Sequence, residues 1–120
     1  MKENGFVRVG ALVNKLSLGD VIENAQEISR QIKKAYEAGV EIIVTPELSL
    51  TGYTCGDMFL QDKLVKDSII GLEYVLSETK SLNIISIIGM PISTNNALFN
   101  CGVVINRGKL LGIIPKTYIP

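Results

Sequence analysis

Residues 38–57 are AGVEIIVTPELSLTGYTCGD, a stretch in which a short apolar run passes into a polar loop. Gly39 is a typical helix stop, and residues 41–45 predict a buried strand. Glu47 follows Pro46 directly after that strand. Because a buried carboxylate needs a partner, and because ligands bind at the carboxyl ends of strands in α/β sheets, Glu47 is the first candidate for a functional residue.

The segment before this stretch predicts an α/β fold. Residues 6–13 are apolar enough for a buried strand, and Asp20 with Glu23 resembles a capping box that would start a helix. Strand, helix and strand in this order favour a parallel pair with a right-handed crossover. The apolar face expected for the helix consists of Val21, Ala25, Ile28, Ile32, Ala35 and Tyr36.

The second half of the chain predicts one more helix and three strands. The helix is expected after a loop from 46 to about 61, with Asn83 closing it. Residues 84–92, IISIIGMPI, are apolar throughout, which is typical of a central strand. Turns at 94–96 and 106–108 predict two further strands joined as hairpins, so the predicted order is βαβαβ followed by two hairpin-linked strands. The apolar face expected for this helix consists of Leu64, Val65, Ile69, Leu72, Val75, Leu76 and Leu82.

Composition excludes several classes of function. The chain has 120 residues, 47% of them hydrophobic, with 12 basic and 12 acidic side chains. This is typical of one small globular domain and gives no electrostatic case for nucleic acid or an anionic membrane. The sequence has neither a run long enough to span a bilayer nor the apolar region of a secretory signal, so the expected compartment is the cytoplasm.

Two residue types limit the chemistry further. Histidine is absent, which removes Ser-His-Asp and Cys-His catalysis and argues against zinc. The two cysteines are too few for a disulfide framework. No glycine-rich phosphate loop follows the first strand or occurs elsewhere, which argues against a nucleotide site. Acid–base chemistry would therefore depend on Asp, Glu, Lys or Tyr.

Lys116 is the natural counterpart of Glu47, because it stands at the end of the last apolar strand, after Pro115. Two interpretations are open at this point. In the first, Glu47 is a solvated loop carboxylate or a helix cap, and Lys116 is a surface charge. In the second, the two side chains meet at one edge of the sheet. A desolvated Glu-Lys pair would supply a base and an oxyanion stabiliser.

Two stretches resemble the nitrilase superfamily: PELSLTGYTCGD at 46–57 and NCGVVINRGKLLGIIPKTYIP at 100–120. The TCGD and PKTYIP portions, with FVRVGALVNKLSLGD at 6–20, resemble more narrowly the N-terminal glutaminase domain of glutamine-dependent NAD+ synthetases. The resemblance spans essentially the whole chain. It implies the N-terminal portion of an αββα sandwich that carries a Glu-Lys-Cys triad.

Carried over position by position, the resemblance makes Glu47 the general base and Lys116 the lysine that stabilises the tetrahedral intermediate. Tyr53 would line the glutamine pocket, although core packing explains this tyrosine equally well. The nucleophilic cysteine of the family lies on a strand beyond the lysine. Cys55 and Cys101 are not expected to replace it, because free cysteines usually behave as small buried hydrophobes.

The resemblance also implies partners. Glutamine would be the substrate, and the released ammonia would pass to a separate synthetase domain that holds ATP and Mg²⁺, so that no metal or cofactor is expected in this chain. Homo-oligomers are implied as well. Since the chain stops at Pro120 directly after an apolar strand, residues 1–120 are expected to be a partial domain, inactive alone. The alternatives are a fragment of another nitrilase-type amidase or carbamoylase, and a non-catalytic α/β interaction module.

Overall fold

The structure, a computed structural model, describes residues 7–11, 20–46, 49–51, 58–94 and 97–119, with side chains at all of these positions except 58–61, 94, 97–98 and 116–119. The elements in chain order are β1 (Val9–Ala11), α1 (Val21–Glu37), β2 (Ile42–Val44), α2 (Met58–Glu78), β3 (Ile85–Thr94), β4 (Ala97–Asn106) and β5 (Lys109–Ile119). The predicted βαβαβ order with two further strands is confirmed.

The five strands form one sheet in the order β1-β2-β3-β4-β5. The first three strands are parallel, because a helix connects each to the next, whereas β4 and β5 are antiparallel to their neighbours. β3 is the central strand, as its uninterrupted apolar sequence predicted. It pairs with β2 over three residues and with β4 over nine.

Both ends of α1 are as the sequence predicted. The Asp20 carboxylate accepts a hydrogen bond from the Glu23 N–H at 3.1 Å and so caps the first turn. At the other end Gly39 has a φ of 85°, and its N–H donates to Tyr36 O at 3.0 Å. The Val40 N–H donates to Ala35 O at 3.0 Å, which completes a Schellman motif. Local sequence therefore sets the length of this helix.

The apolar face predicted for α2 is partly wrong. Ile69 is 50% exposed, and the buried positions among residues 62–78 of the helix are Ser68, Gly71 and Val75, with Thr79 buried directly after it. The reason is the close approach of α1, since a Cβ on Gly71 would lie 2.6 Å from Val21 Cγ1. Only small side chains fit between the two helices there. The prediction for α1 is wrong at Tyr36, which the pattern places on the apolar face but which is 41% exposed.

The bounds of α2 also differ from the prediction. The helix begins at Met58 instead of near residue 62 and ends at Glu78, five residues before Asn83. Thr79 Oγ1 donates to Val75 O at 2.7 Å, and the Leu82 N–H donates to Thr79 O at 3.0 Å in the turn that follows. Thr79 thus satisfies a carbonyl of the last helical turn, and Leu82 reaches the core from the turn.

The turn between β4 and β5 is a two-residue hairpin. Arg107 and Gly108 have φ values of 51° and 76°, and positive φ at both positions is the mark of a type I′ turn. This confirms the turn predicted at 106–108. The turn predicted at 94–96 includes Asn95 and Asn96, which lie outside the described residues.

Two layers are present in the described part of the chain. Both helices cover one face of the sheet, where the large buried side chains include Ile43, Ile88, Met90, Val103 and Ile105. The opposite face carries exposed apolar side chains, with Val9 62% and Ile114 53% exposed. A helix layer and one sheet make up half of the αββα sandwich that the resemblance implies. No helix in the described ranges is long and apolar enough to cross a bilayer.

Candidate functional site

Two of the predicted site residues, Glu47 and Tyr53, lie outside the described residues, so their roles stay predictions. Cys55, which the sequence argued against as the nucleophile, lies outside them as well. Lys116 is described only through its backbone in β5. The structure therefore describes the surroundings of the predicted base and lysine, and those surroundings differ sharply between the two.

The chain on either side of Glu47 is buried and hydrogen-bonded to two elements. Ser49 and Leu50 have no exposed surface. The Leu50 N–H donates to Gly89 O in β3 at 3.1 Å, and its carbonyl accepts from Asn24 Nδ2 in α1 at 3.0 Å. Before Glu47, the Thr45 N–H donates to Ile87 O at 2.9 Å. The segment that contains Glu47 is thus tied at both ends to the sheet.

Lys116 coincides with an irregularity in β5. The Cα register pairs Cys101 with Pro115 and Asn100 with Thr117, so Lys116 is the extra residue of a β-bulge. Pro115 has no N–H to give to the ladder, and proline in a sheet is found mainly at edges and bulges. Bulges next to active sites redirect a side chain, which agrees with the role predicted for this lysine.

The sheet register relates the two candidate positions. Val44, the last residue of β2, pairs with Ile87, and a few residues further along β3 Met90 pairs with Cys101 beside the bulge. The end of β2, which precedes Glu47 in the sequence, and the bulge at Lys116 therefore lie at the same end of the sheet, with β3 and β4 between β2 and β5. Three inter-strand spacings amount to about 14 Å, a gap that loop and side chains together would have to close. The predicted contact between Glu47 and Lys116 is not tested.

Cys101 is described in full, and its environment is that of an unreactive thiol. It is 2% exposed, and its Sγ lies 3.8 Å from Phe99 O. Burial raises the pKa of the Cys101 thiol, which keeps it protonated at neutral pH and unsuited to nucleophilic attack. This supports the sequence argument against Cys101 as the nucleophile.

Elsewhere in the described ranges the ion pairs lie on the helices. Ion pairs join Arg30 to Glu27, Lys33 to Glu78 at 2.8 Å and Lys63 to Asp67 at 2.7 Å. All three are at the surface, where such pairs contribute little to stability. Among the residues that the structure describes, no three His, Cys, Asp or Glu side chains are grouped as metal ligands would be.

Sequence reasoning missed four residues that hold the segment around Glu47, namely Asn24, Thr45, Ser49 and Gly89. One signal was present: Asn24 lies between Val21 and Ile28 on the apolar face of α1, where an amide needs a buried partner. For Ser49 and Gly89 no local pattern existed, since their contact joins residues 40 positions apart.

A comparison with known sequences decides the family. The sequence profile of the carbon-nitrogen hydrolase family matches residues 9–119. The chain belongs to this family. The carbon-nitrogen hydrolase match includes the positions of Glu47, Tyr53 and Lys116, which the resemblance to nitrilases had singled out.

Relatives of this carbon-nitrogen hydrolase agree with the narrower resemblance. The chain is 38% identical, over 97% of its length, to the glutamine-dependent NAD(+) synthetase of Mycobacterium leprae. Among solved structures it matches a glutamine-dependent NAD(+) synthetase from Cytophaga hutchinsonii with a TM-score of 0.82 and 27% identity over 95% of the chain. An amidase from Nesterenkonia sp. matches with a TM-score of 0.78 over 92% of the chain at 17% identity, which shows the fold alone.

The matched proteins are longer than this chain. It spans 17% of the length of the Mycobacterium leprae synthetase, 19% of the Cytophaga hutchinsonii chain and 42% of the Nesterenkonia amidase. The resemblance to the nitrilase fold and to the synthetases is confirmed over the part of those proteins that the chain covers.

Proposed function

We propose that these 120 residues are part of the glutamine amidohydrolase domain of a glutamine-dependent NAD+ synthetase. The observation that carries the proposal is 38% identity along 97% of the chain to a protein with that name. The position of Lys116 at a bulge, at the same end of the sheet as the end of β2 that precedes Glu47 in the sequence, supports it.

In the proposed reaction Glu47 takes the proton of a cysteine thiol that the rest of the domain supplies. The thiolate forms a bond to the side-chain amide carbon of glutamine, and Lys116 stabilises the oxyanion that develops. Glu47 returns the proton to the departing nitrogen, so ammonia leaves and a thioester remains. Water then hydrolyses the thioester to glutamate, with the same carboxylate as base.

The proposal also covers the use of the ammonia, the glutamine pocket and the assembly. Ammonia would be used in a synthetase domain, to which we assign ATP and Mg²⁺, to amidate deamido-NAD+. Tyr53 would line the glutamine pocket, and the assembly would be a homo-oligomer in the cytoplasm. The nucleophile would come from beyond Lys116, so the 120-residue chain by itself should hydrolyse no glutamine.

The test uses the protein that contains this chain together with the remainder of its domain and the synthetase domain. Glu47→Gln should lower glutamine hydrolysis by about 10²- to 10⁴-fold, the range for a general base, because an amide cannot accept the thiol proton. NAD+ formation from free ammonia should persist in this variant. Lys116→Ala should behave in the same way, since both residues would serve only the release of ammonia.

Two matched substitutions serve as controls. Glu73→Gln removes an exposed carboxylate on α2, and Lys109→Ala removes an exposed lysine on the same strand as Lys116. Both should leave glutamine hydrolysis unchanged. Hydrolysis of simple amides but not of glutamine would favour another amidase of the family, and the absence of any amide hydrolysis would favour a non-catalytic interaction module.

A further inference from the structure

Two buried hydroxyl groups bracket Glu47 in the sequence, two residues before it and two after it. Thr45 is 5% exposed and Ser49 has no exposed surface. Thr45 Oγ1 lies 2.7 Å from Ser49 Oγ, so a hydrogen bond joins the two ends of the five-residue segment. Both oxygens also accept from the N–H of Gly89, at 3.1 and 3.2 Å. We call Thr45, Ser49 and Gly89 the hydroxyl clasp.

The clasp takes the place of a backbone hydrogen bond between β2 and β3. β2 ends at Val44, and the bond from the Thr45 N–H to Ile87 O continues its ladder with β3. The next N–H of β3 that points toward β2 belongs to Gly89, but β2 has already ended at this level of the sheet. The two hydroxyls satisfy that donor, and the Leu50 N–H satisfies the Gly89 carbonyl at 3.1 Å. Side chains thus extend the pairing past the end of the strand.

The hydrogens of the clasp can be arranged in two ways. Thr45 Oγ1 lies 2.9 Å from Ile87 O, and Ser49 Oγ lies 3.2 Å from Gly89 O. One hydroxyl donates to the other, so only one proton remains for a carbonyl. Both carbonyls already accept a backbone N–H, from Thr45 and Leu50 respectively. Every polar atom of the clasp therefore has a partner in either arrangement, which is the condition for a rigid buried network.

We propose that Thr45 and Ser49 are positioning residues for the predicted base, and that their hydroxyls hold the chain on both sides of Glu47 in the arrangement that proton transfer requires. The inference rests on the function proposed above. Proton transfer depends on distances within hydrogen-bond reach, and a displacement of about 1 Å costs on the order of 100-fold in rate. The clasp would therefore affect turnover more than substrate binding.

The first experiment measures glutamine hydrolysis in the protein that carries the complete domain. Thr45→Val keeps the shape of the side chain and removes its hydroxyl, whereas Thr45→Ser keeps the hydroxyl and removes a methyl group. We expect kcat per folded molecule to fall about 10- to 100-fold in Thr45→Val and Ser49→Ala, with KM within about twofold of the wild type. Thr45→Ser should recover most of the lost kcat.

The matched control is Ser68→Ala. Ser68 is also fully buried, but its Oγ donates to Leu64 O within α2 at 2.6 Å, away from the segment around Glu47. This variant loses one buried hydroxyl in the same way and should keep the wild-type kcat. A purely structural role for the clasp would lower the melting temperature of Thr45→Val while leaving kcat per folded molecule unchanged, and that result would overturn the inference.

The second experiment needs no activity. Hydrogen exchange in the protein that carries the complete domain should be at least tenfold faster at the Leu50 and Gly89 amides in Thr45→Val with Ser49→Ala, and unchanged there in Ser68→Ala. Unchanged exchange at both amides in the double variant would overturn the inference, because the clasp would then not hold the segment.

The two failures are distinguishable. If Glu47→Gln retains wild-type hydrolysis, or the wild type hydrolyses no glutamine, the proposed function is wrong and the positioning role is wrong with it. If Glu47→Gln is inactive but Thr45→Val and Ser49→Ala turn over at the wild-type rate, the proposed function stands and only the positioning role is wrong.

Discussion

The two segments that carry the predicted base and lysine are held in opposite ways. The chain around Glu47 is fixed from two sides, by β3 and α1, and Ser49, Leu50 and Thr51 have no exposed surface. β5, which carries Lys116, is held through its ladder with β4, and its side chains at 110, 111, 113 and 114 are between 46% and 58% exposed.

This difference indicates how a complete site would be assembled. The chain that flanks the base is held by contacts within these residues, whereas the exposed apolar side chains of β5 need a cover that the described part of the chain does not provide. Large exposed apolar patches on a sheet mark places where another layer or another chain packs. Substitutions of apolar residues should therefore have different effects on the two segments. Those near Glu47 should lower the free energy of unfolding, and those on β5 should weaken the association of the chain with other copies.

The largest effect is expected from Leu50→Ala compared with Ile114→Ala. Leu50 is fully buried beside α1 and α2, so its truncation should lower the free energy of unfolding by about 3 kcal/mol. Ile114 is 53% exposed, and its truncation should cost less than about 0.5 kcal/mol. Urea unfolding of the 120-residue chain at low concentration measures both. Equal losses would show that β5 is as well packed as the segment around Glu47.

The next effect concerns association of the 120-residue chain. The exposed sheet face should make the chain self-associate, and Ile114→Lys should weaken this at least tenfold, or about 1.4 kcal/mol, because it places a charge on the contact surface. Sedimentation velocity over a range of concentrations gives the dissociation constant.

A charge-matched control for this association is Ile22→Lys. Ile22 is 44% exposed on α1, away from the sheet face, and the variant adds the same charge. It should associate like the wild type. A wild-type chain that stays monomeric at every concentration, or an equal effect of the two lysines, would contradict the assignment of this face as the one that is covered.

The smallest effect is expected from Gly71→Ala compared with Gly112→Ala. A Cβ at Gly71 would lie 2.6 Å from Val21 Cγ1, whereas a Cβ at Gly112 would meet no atom within 4 Å. In Gly71→Ala the cost of overpacking should exceed the gain in helix propensity, so the free energy of unfolding should fall by about 1 kcal/mol. Gly112→Ala should be about as stable as the wild type. Thermal unfolding with circular dichroism measures both. A stabilised Gly71→Ala would show that α1 and α2 can move apart at no cost.

Sequence alone was sufficient for the order of the elements and for the features that neighbouring residues make. Asp20 caps α1, Gly39 ends it, and Arg107 with Gly108 forms the turn between β4 and β5. Each of these depends on residues a few positions apart, whose types restrict the backbone directly. The uninterrupted apolar sequence of β3 likewise indicated its central place, where it pairs with β2 at one edge and β4 at the other.

The tertiary structure alone decided where the helices touch and how the segment around Glu47 is held. The buried positions of α2 follow from the approach of α1, which no periodicity within α2 reveals. The hydroxyl clasp joins Thr45 and Ser49 to Gly89, which lies 44 and 40 positions further along the chain. The bulge at Lys116 likewise depends on how β5 pairs with β4. Such contacts depend on the distance and register between elements, whereas local sequence specifies each element only by itself.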